Sequence, residues 1–251
     1  MHGVNQIYKG IEDSGISIDV IISTFYVFKR TMFPFKASEA KLFNNTKRIE
    51  AVDYLLDAQA WDKKDGKKIV PDVDHVMLFT RYNMYFDTPE NTGVVGFTHT
   101  GGVCSTGKRI SIVEERGLFW TIFTAAHELG HSLGACHDGE DCAKACKASD
   151  SFIMSAKVTD LNMTSSANNP WRFSICSVRS FKETLMRKPC VLEQGEVFNA
   201  QEYQSYVENQ PGETYDATEQ CRFLTNRYSK VCEIVMKPFA KYLRELSDFH
   251  D

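Results

Sequence analysis

The stretch AAHELGHSLGACHDG, residues 125–139, constrains the fold more than any other part of the chain. Histidine is scarce, seven in 251 residues, yet His127, His131 and His137 fall within eleven positions. On an α-helix, residues four apart lie on one face, separated by about 6 Å along the axis. His127 and His131 are therefore expected to offer ring nitrogens to one ion at roughly 2.0–2.1 Å. Gly134 supplies the bend that follows, because a residue without a side chain turns the chain with positive φ at a helix end. After that bend His137 can return to the same ion. Three protein ligands leave a fourth position for water, which marks a catalytic zinc site and not a closed structural one. Glu128 points about 100° round the helix from the first histidine, beside the ion and poorly aimed to ligate it. Its expected role is general base, taking a proton from water whose pKa zinc can lower to roughly 7, and returning it to a leaving amine. The full spacing H-E-x-x-H-x-x-G-x-x-H makes a chance match negligible.

The rest of the sequence narrows the setting. Net charge is −4 without a prominent basic run, which speaks against nucleic acid as a partner. No apolar run reaches the roughly 18–20 residues needed to span a bilayer. Eight cysteines, all between Cys104 and Cys232, suit a disulfide framework in an oxidising compartment. Two sequons, Asn44-Asn45-Thr46 and Asn162-Met163-Thr164, lean the same way. The N-terminal MHGVNQIYKG lacks an apolar signal region, so the chain reads as a processed or truncated piece of a secreted protein.

Hydrophobic periodicity predicts a helix over 4–13, a buried strand over 16–28, and an amphipathic helix from about Ser38 to Trp61, stopped by KKDGKK. Strands follow at 74–82 and 109–115, with an irregular, glycine-punctuated edge strand at 92–102. A long apolar helix over 118–133 carries Ile122, Ala126, Leu129 and Leu133 in one stripe, and its aromatics, Trp120 included, are expected in the core. Later helices are expected near 177–187 and 233–246. Alternating helices and strands followed by a cysteine-laced half indicate an α/β or α+β architecture. His2, His75, His99 and His250 have no partner at ligand spacing and are expected to be surface or internally satisfied residues.

The segment HELGHSLGACHD resembles the metzincin zinc endopeptidases, and Asp138 after the last histidine points to their adamalysin (reprolysin) branch, which includes the ADAM and ADAMTS proteases. SFIMS, residues 151–155, resembles the family's Met-turn, with Met154, 17 residues after His137, as the methionine beneath the ligands. The likeness extends over VNQIYKGIEDSGISIDVI, DHVMLFT, TGVVGFTHTGGVCSTGKRISIVEE and PWRFSICSVRSFKETLMRKPCVL. It implies a metzincin-type catalytic domain over 1–195, with a twisted mixed sheet, a long active-site helix and an irregular, disulfide-rich lower subdomain. PGETYDATEQCRFL resembles the start of an ADAMTS disintegrin-like segment, so residues 196–251 are expected to form a short cysteine-containing tail. Tails of this kind resemble those of arthropod reprolysins, tick salivary ones especially.

The resemblance also implies a Cys104–Cys190 bridge and a Cys142–Cys176 bridge. Cys136 with Cys146 would then stiffen the loop after the helix, and Cys221 with Cys232 would be left for each other; a second metal site at Cys136, Cys142 and Cys146 is the sharper alternative. Asp74 and Glu193 match acidic positions near the family's structural calcium, and each also reads as a surface carboxylate. The chain begins inside the family's first helix, so its first strand is absent and residues 1–251 alone are expected to fold poorly. No pro-segment thiol is present, consistent with a mature form.

The expected function is that of a secreted, monomeric zinc metalloendopeptidase cutting extracellular proteins. Substrate would add as a strand to the edge around 92–100, and residues from about Ala156 to Asp160 would shape the pocket after the cut. The alternative is a binding protein that keeps the fold but occupies a receptor or matrix protein; an intact Glu128 argues against it. A zinc exopeptidase would need an extra carboxylate or a site for a free peptide terminus, and none is evident.

Overall fold

The structure, a computed structural model, describes residues 1–27, 40–70, 73–117, 120–156, 169–192 and 215–230. The chain divides into two compact units, Gly3–Phe198 and Asn199–Asp251. In the first, helix α1 (His2–Lys9) is followed by a 3₁₀ turn at Glu12–Ser14, strands β1 (Lys41–Phe43) and β2 (Thr46–Glu50), and helix α2 (Ala51–Trp61). Then come the short helix α3 (Lys67–Ile69), strands β3 (Val76–Thr80), β4 (Asn83–Tyr85), β5 (Gly96–Thr98) and β6 (Ile110–Glu114), and helices α4 (Trp120–Ser132) and α5 (Ile175–Arg187). In the second unit the described residues form helix α6 (Ala217–Leu224), N-capped by Asp216, whose carboxylate accepts from the Glu219 amide at 2.8 Å. The helix expected near 233–246 lies outside the described residues.

Among the described residues six strands form two small sheets, ordered β1-β2-β4 and β3-β6-β5. In the second, β3 runs parallel to β6 and β5 antiparallel to it, a mixed α/β arrangement. Strand β6 is buried along its whole length because elements pack on both of its faces. Ile110 and Ile112 join Tyr54, Leu55, Ala58 and Trp61 of α2 in one core. Ser111, between them, points the other way and meets His75 Nε2 at 2.9 Å, while His75 Nδ1 meets Ser132 Oγ of α4 at 2.9 Å. The second core gathers Val4, Ile7, Tyr8 and Ile11 with Ala125, Ala126, Leu129 and Leu133 of α4 and Phe173, Val178 and Phe181 around α5. The Tyr8 hydroxyl donates to the Ala126 carbonyl at 2.9 Å, fixing α1 on the long helix.

Several elements differ from the sequence reading. Residues 16–27 form no strand and belong to no sheet among the described residues. Ile16, Ile18 and Val20 pack on the α4 core in alternation, while Ile21, Phe25, Tyr26 and Val27 are exposed. A strand needs a neighbour for its backbone groups, and here the Val20 amide goes to the Asn5 side chain at 2.8 Å instead. The helix expected from Ser38 begins only at Ala51. Before it stands a hairpin whose two loop residues, Asn44 and Asn45, both have positive φ (46° and 61°), as a tight hairpin turn requires. Glu50 ends that hairpin and caps α2 by accepting from the Asp53 amide at 2.8 Å.

KKDGKK does not stop the helix. Asp62–Gly66 continues it as a wider π turn leading into α3, for two reasons. Asp62 is fully buried and accepts from Arg109 Nη2 at 2.9 Å and the Gly107 amide at 2.6 Å. Gly66 presses on the Trp61 ring, where a Cβ would stand 2.9 Å away. Trp120 is not core but 53% exposed, at the start of α4.

Two of the four expected disulfides are replaced by other pairings. Cys104 joins Cys190, with Cα atoms 6.4 Å apart. Cys136 joins Cys142, and Cys146 joins Cys176, in place of the expected Cys142–Cys176 and Cys136–Cys146 pairs. The 3₁₀ turn Asp141–Ala143 folds Cys142 back onto its near neighbour, leaving Cys146 to face Cys176 on α5 in a small buried cluster with Ala143. With those thiols oxidised, Cys136, Cys142 and Cys146 form no metal set. Cys232, the expected partner of Cys221, is outside the described residues.

Candidate metal centre

Helix α4 ends in a Schellman motif that aims the chain back at its own last turn. The Gly134 amide donates to the His131 carbonyl at 2.8 Å and the Ala135 amide to the Gly130 carbonyl at 3.0 Å, with Gly134 at φ +97°. Two further amides, Gly101 and Val103, cap the carbonyls of His131 and Ser132 at 2.8 and 3.2 Å. The bend brings His137 over the two helical histidines. Its Nε2 lies 3.2 Å from His127 Nε2 and 3.1 Å from His131 Nε2.

The second nitrogen of each helical ring is already committed. His127 Nδ1 donates to the Ile153 carbonyl at 2.7 Å, and His131 Nδ1 to the Ala135 carbonyl at 2.8 Å. Carbonyls only accept, so both Nδ1 atoms carry the hydrogen and both Nε2 atoms carry lone pairs. Burial, above all, holds the two rings neutral, lowering the pKa of His127 to about 3 and of His131 to about 4. Lone pairs converging at such distances repel unless a cation lies between them. Tetrahedral zinc with Zn–N bonds of about 2.05 Å separates its ligand nitrogens by about 3.3 Å, close to the observed spacing. The donor set therefore fits a zinc ion. Nδ1 of His137 faces Glu140 Oε2 at 3.4 Å, completing the outer ring of acceptors.

Glu128 is 4% exposed, and burial pushes its carboxyl up to about 8. It presses on Gly96 of β5, where an added Cβ would stand 2.3 Å from Glu128 Oε1. The edge strand thus passes directly over this carboxylate. Met154 is fully buried under α4, its sulfur 2.7 Å from where a Cβ on Gly130 would be. Asp138 joins three pieces. Its amide donates to the Met154 carbonyl at 2.9 Å, and its Oδ1 accepts from Ser174 Oγ at 2.6 Å. Ser174 in turn caps α5 by accepting from the Ser177 amide. Burial raises the Asp138 carboxyl pKa.

The sequence reading had not singled out Gly130, Gly96, Ser174 or the Ile153 and Ala135 carbonyls. A glycine inside a helix, unfavourable by about 1 kcal/mol relative to alanine, was the available signal for Gly130. Asp74 is exposed just before β3, its carbonyl accepting from the Cys104 amide at 2.7 Å. Its carboxylate lies near Cys104 and Cys190, whose sulfurs are bonded to each other and offer no thiolate. Glu193 and residues 157–160 lie outside the described residues, and Ala156 is exposed.

The mixed α/β fold with its disulfides is that of a metzincin-type domain. A family profile for metallopeptidase family M12, of the reprolysin type, matches residues 3–169. Mouse "A disintegrin and metalloproteinase with thrombospondin motifs 18" is 32% identical over 181 residues, 72% of this chain and 14% of that protein. Human "A disintegrin and metalloproteinase with thrombospondin motifs 16" is 32% identical over 174 residues, covering 69% and 13%. The Bombyx mori protein "A disintegrin and metalloproteinase with thrombospondin motifs like" is 37% identical over 134 residues, covering 46% and 18%. The chain therefore spans less than a fifth of the length of these relatives. It belongs to metallopeptidase family M12 and is an ADAM/ADAMTS-like member of the reprolysin type.

Proposed function

We propose that the chain is a secreted endopeptidase acting on internal peptide bonds of extracellular proteins, with His127, His131 and His137 holding zinc and Glu128 as general base. Residues 1–195 would be the catalytic domain and 196–251 a short tail. The observation that carries the reading is the convergence of three Nε2 atoms, two with their opposite nitrogens tied to carbonyls. Zinc, when bound, supplies a Lewis acid that polarises the scissile carbonyl and makes water acidic enough to react near neutral pH.

The chain's own groups do the rest. Ile153 and Ala135 orient the imidazoles. Strand β5, paired on one side with β6, offers its other edge to an extended substrate among the described residues, and Gly96 places that edge against Glu128. Glu128 takes a proton from the attacking water and delivers it to the leaving nitrogen as the C–N bond breaks and the new C–O bond forms. Three disulfides support passage through an oxidising compartment. No helix among the described residues is long and apolar enough to cross a membrane. Asp74 and Glu193 are the proposed carboxylates of a structural calcium site; a calcium-dependent rise in Tm that Asp74→Ala removes would support it, and no response to calcium would exclude it.

Incubating the full chain with a mixed peptide library, with and without a zinc chelator, tests the reading. Internal cuts abolished by chelator and by Glu128→Ala are expected. Biological activity that survives Glu128→Ala with zinc still bound would instead favour a binding protein on the same fold.

A further inference from the structure

We propose that Asn44 is an N-glycosylation site, carrying an oligosaccharide on its side-chain amide nitrogen at the tip of the β1–β2 hairpin. The inference rests on the secreted reading, since the sugar is added only to chains entering the secretory pathway. Asn44-Asn45-Thr46 has the acceptor pattern Asn-x-Thr, with a middle residue other than proline. All three residues are exposed, and the Asn44 side chain has no hydrogen-bond partner among the described residues. The pairing Phe43↔Thr46 leaves Asn44 and Asn45 as a two-residue loop standing clear of both cores. A bulky sugar there displaces nothing.

The covalent step is balanced by a polyprenyl-pyrophosphate-linked oligosaccharide as donor. The Asn44 amide nitrogen bonds to the anomeric carbon of the first sugar. The bond from that carbon to the pyrophosphate breaks, and the amide proton leaves with the transferring enzyme's base.

The position also gives the sugar a job. Among the described residues β1 is the edge of its sheet, and Leu42 on it is 68% exposed. An open edge bearing an apolar side chain is a template for pairing with another chain. A glycan rooted one residue past the end of β1 screens that edge. The chain thus covers by modification what its short sheet leaves bare.

The turn dictates which variants test this. Asn is favoured at positive φ, so Asn44→Gln would disturb the hairpin as well as the acceptor. Thr46→Ala removes the acceptor pattern and leaves both turn asparagines in place. Thr46→Ser keeps it, and Asn44→Asp keeps the turn preference without an acceptor amide. The full chain is produced behind a secretion leader in insect or mammalian cells, digested, treated with peptide N-glycosidase in heavy-oxygen water and mapped by mass spectrometry. Position 44 is expected to return as heavy-oxygen-labelled aspartate in the parent and in Thr46→Ser, and unlabelled in Thr46→Ala. The Thr46→Ala and Asn44→Asp chains should show more self-association on size-exclusion chromatography, with peptide cleavage per molecule unchanged. An unmodified Asn44 on secreted chains whose Cys104–Cys190 bridge has formed would overturn the inference while leaving the secreted reading intact. Chains made in their native cells with free thiols and no sugar at either Asn44 or Asn162 would overturn the secreted reading itself.

Discussion

Glu128 and Gly96 meet so closely that each fixes what the other can be. Substituting Glu128 by Gln removes the proposed base with almost no change in shape, so cleavage should fall by on the order of 10²–10⁴-fold with zinc content unchanged. A zinc-replete Glu128→Gln chain with parental kcat would remove Glu128 from the chemistry. Gly96→Ala puts a methyl 2.3 Å from Oε1, and the carboxylate must move to admit it. Displacement of a reacting group by about 1 Å can cost on the order of 10²-fold, so a fall of that size in kcat is expected. Gly93 sits on the same segment, where an added Cβ would meet only Asn91 Oδ1 at 3.9 Å, and Gly93→Ala should leave kcat unchanged. Combining Gly96→Ala with Glu128→Gln should add little to the Glu128→Gln loss; a full multiplicative loss would show that Gly96 acts elsewhere.

Helix α4 shows what the sequence discloses about an element and what it withholds. Spacing alone located the helix, its buried stripe and its glycine stop, because all three follow from helical geometry. Gly134→Ala combines an unfavourable φ with a Cβ 2.3 Å from Thr184 Oγ1 on α5, so a loss of about 1–3 kcal/mol in urea unfolding is expected. An unchanged midpoint would show that the turn is not held as described. Partners from distant segments are not legible in spacing: Ser174 on Asp138 and His75 between Ser111 and Ser132 arise from tertiary contact, and Met154 beneath Gly130 is reached only through the family resemblance. The apolar, β-branched composition of 16–28 predicts a buried strand, yet such composition does not specify a pairing neighbour, and 16–27 has none among the described residues. The hairpin at 41–50 was hidden inside an amphipathic pattern, although Asn44-Asn45 carried the turn chemistry.

His75, clamped between β6 and α4, gives this layer a pH dependence. Burial and Arg109 lower its pKa to about 3, against about 6.5 in an unfolded chain. Between those values the unfolded chain holds a proton that the folded chain does not. The contribution of His75 to stability is therefore full above pH 6.5 and is lost as pH falls toward 3. Thermal melts of chelator-treated protein should show Tm falling over that range, with a shallower fall for His75→Gln. A Tm that rises on acidification would reverse the assignment.

At the scale of the whole molecule, disulfides hold the irregular half to the helical frame. Cys104–Cys190 closes 86 residues of sequence separation and Cys136–Cys142 only 6, so loop-closure entropy gives about 4.6 and about 2 kcal/mol respectively. Replacing Cys104 and Cys190 by Ser should lower Tm more than replacing Cys136 and Cys142, and the opposite order would contradict the entropic account. Among the described residues the three bridges tie up six sulfurs, none of which belongs to the imidazole cluster. Zinc-edge X-ray absorption on the purified, active chain examines that distinction directly. Three nitrogen neighbours at about 2.0–2.1 Å with an oxygen in the fourth place, and no sulfur, are expected. Sulfur at about 2.3 Å, or a chain that cuts peptides with no zinc bound, would contradict a centre built from His127, His131 and His137.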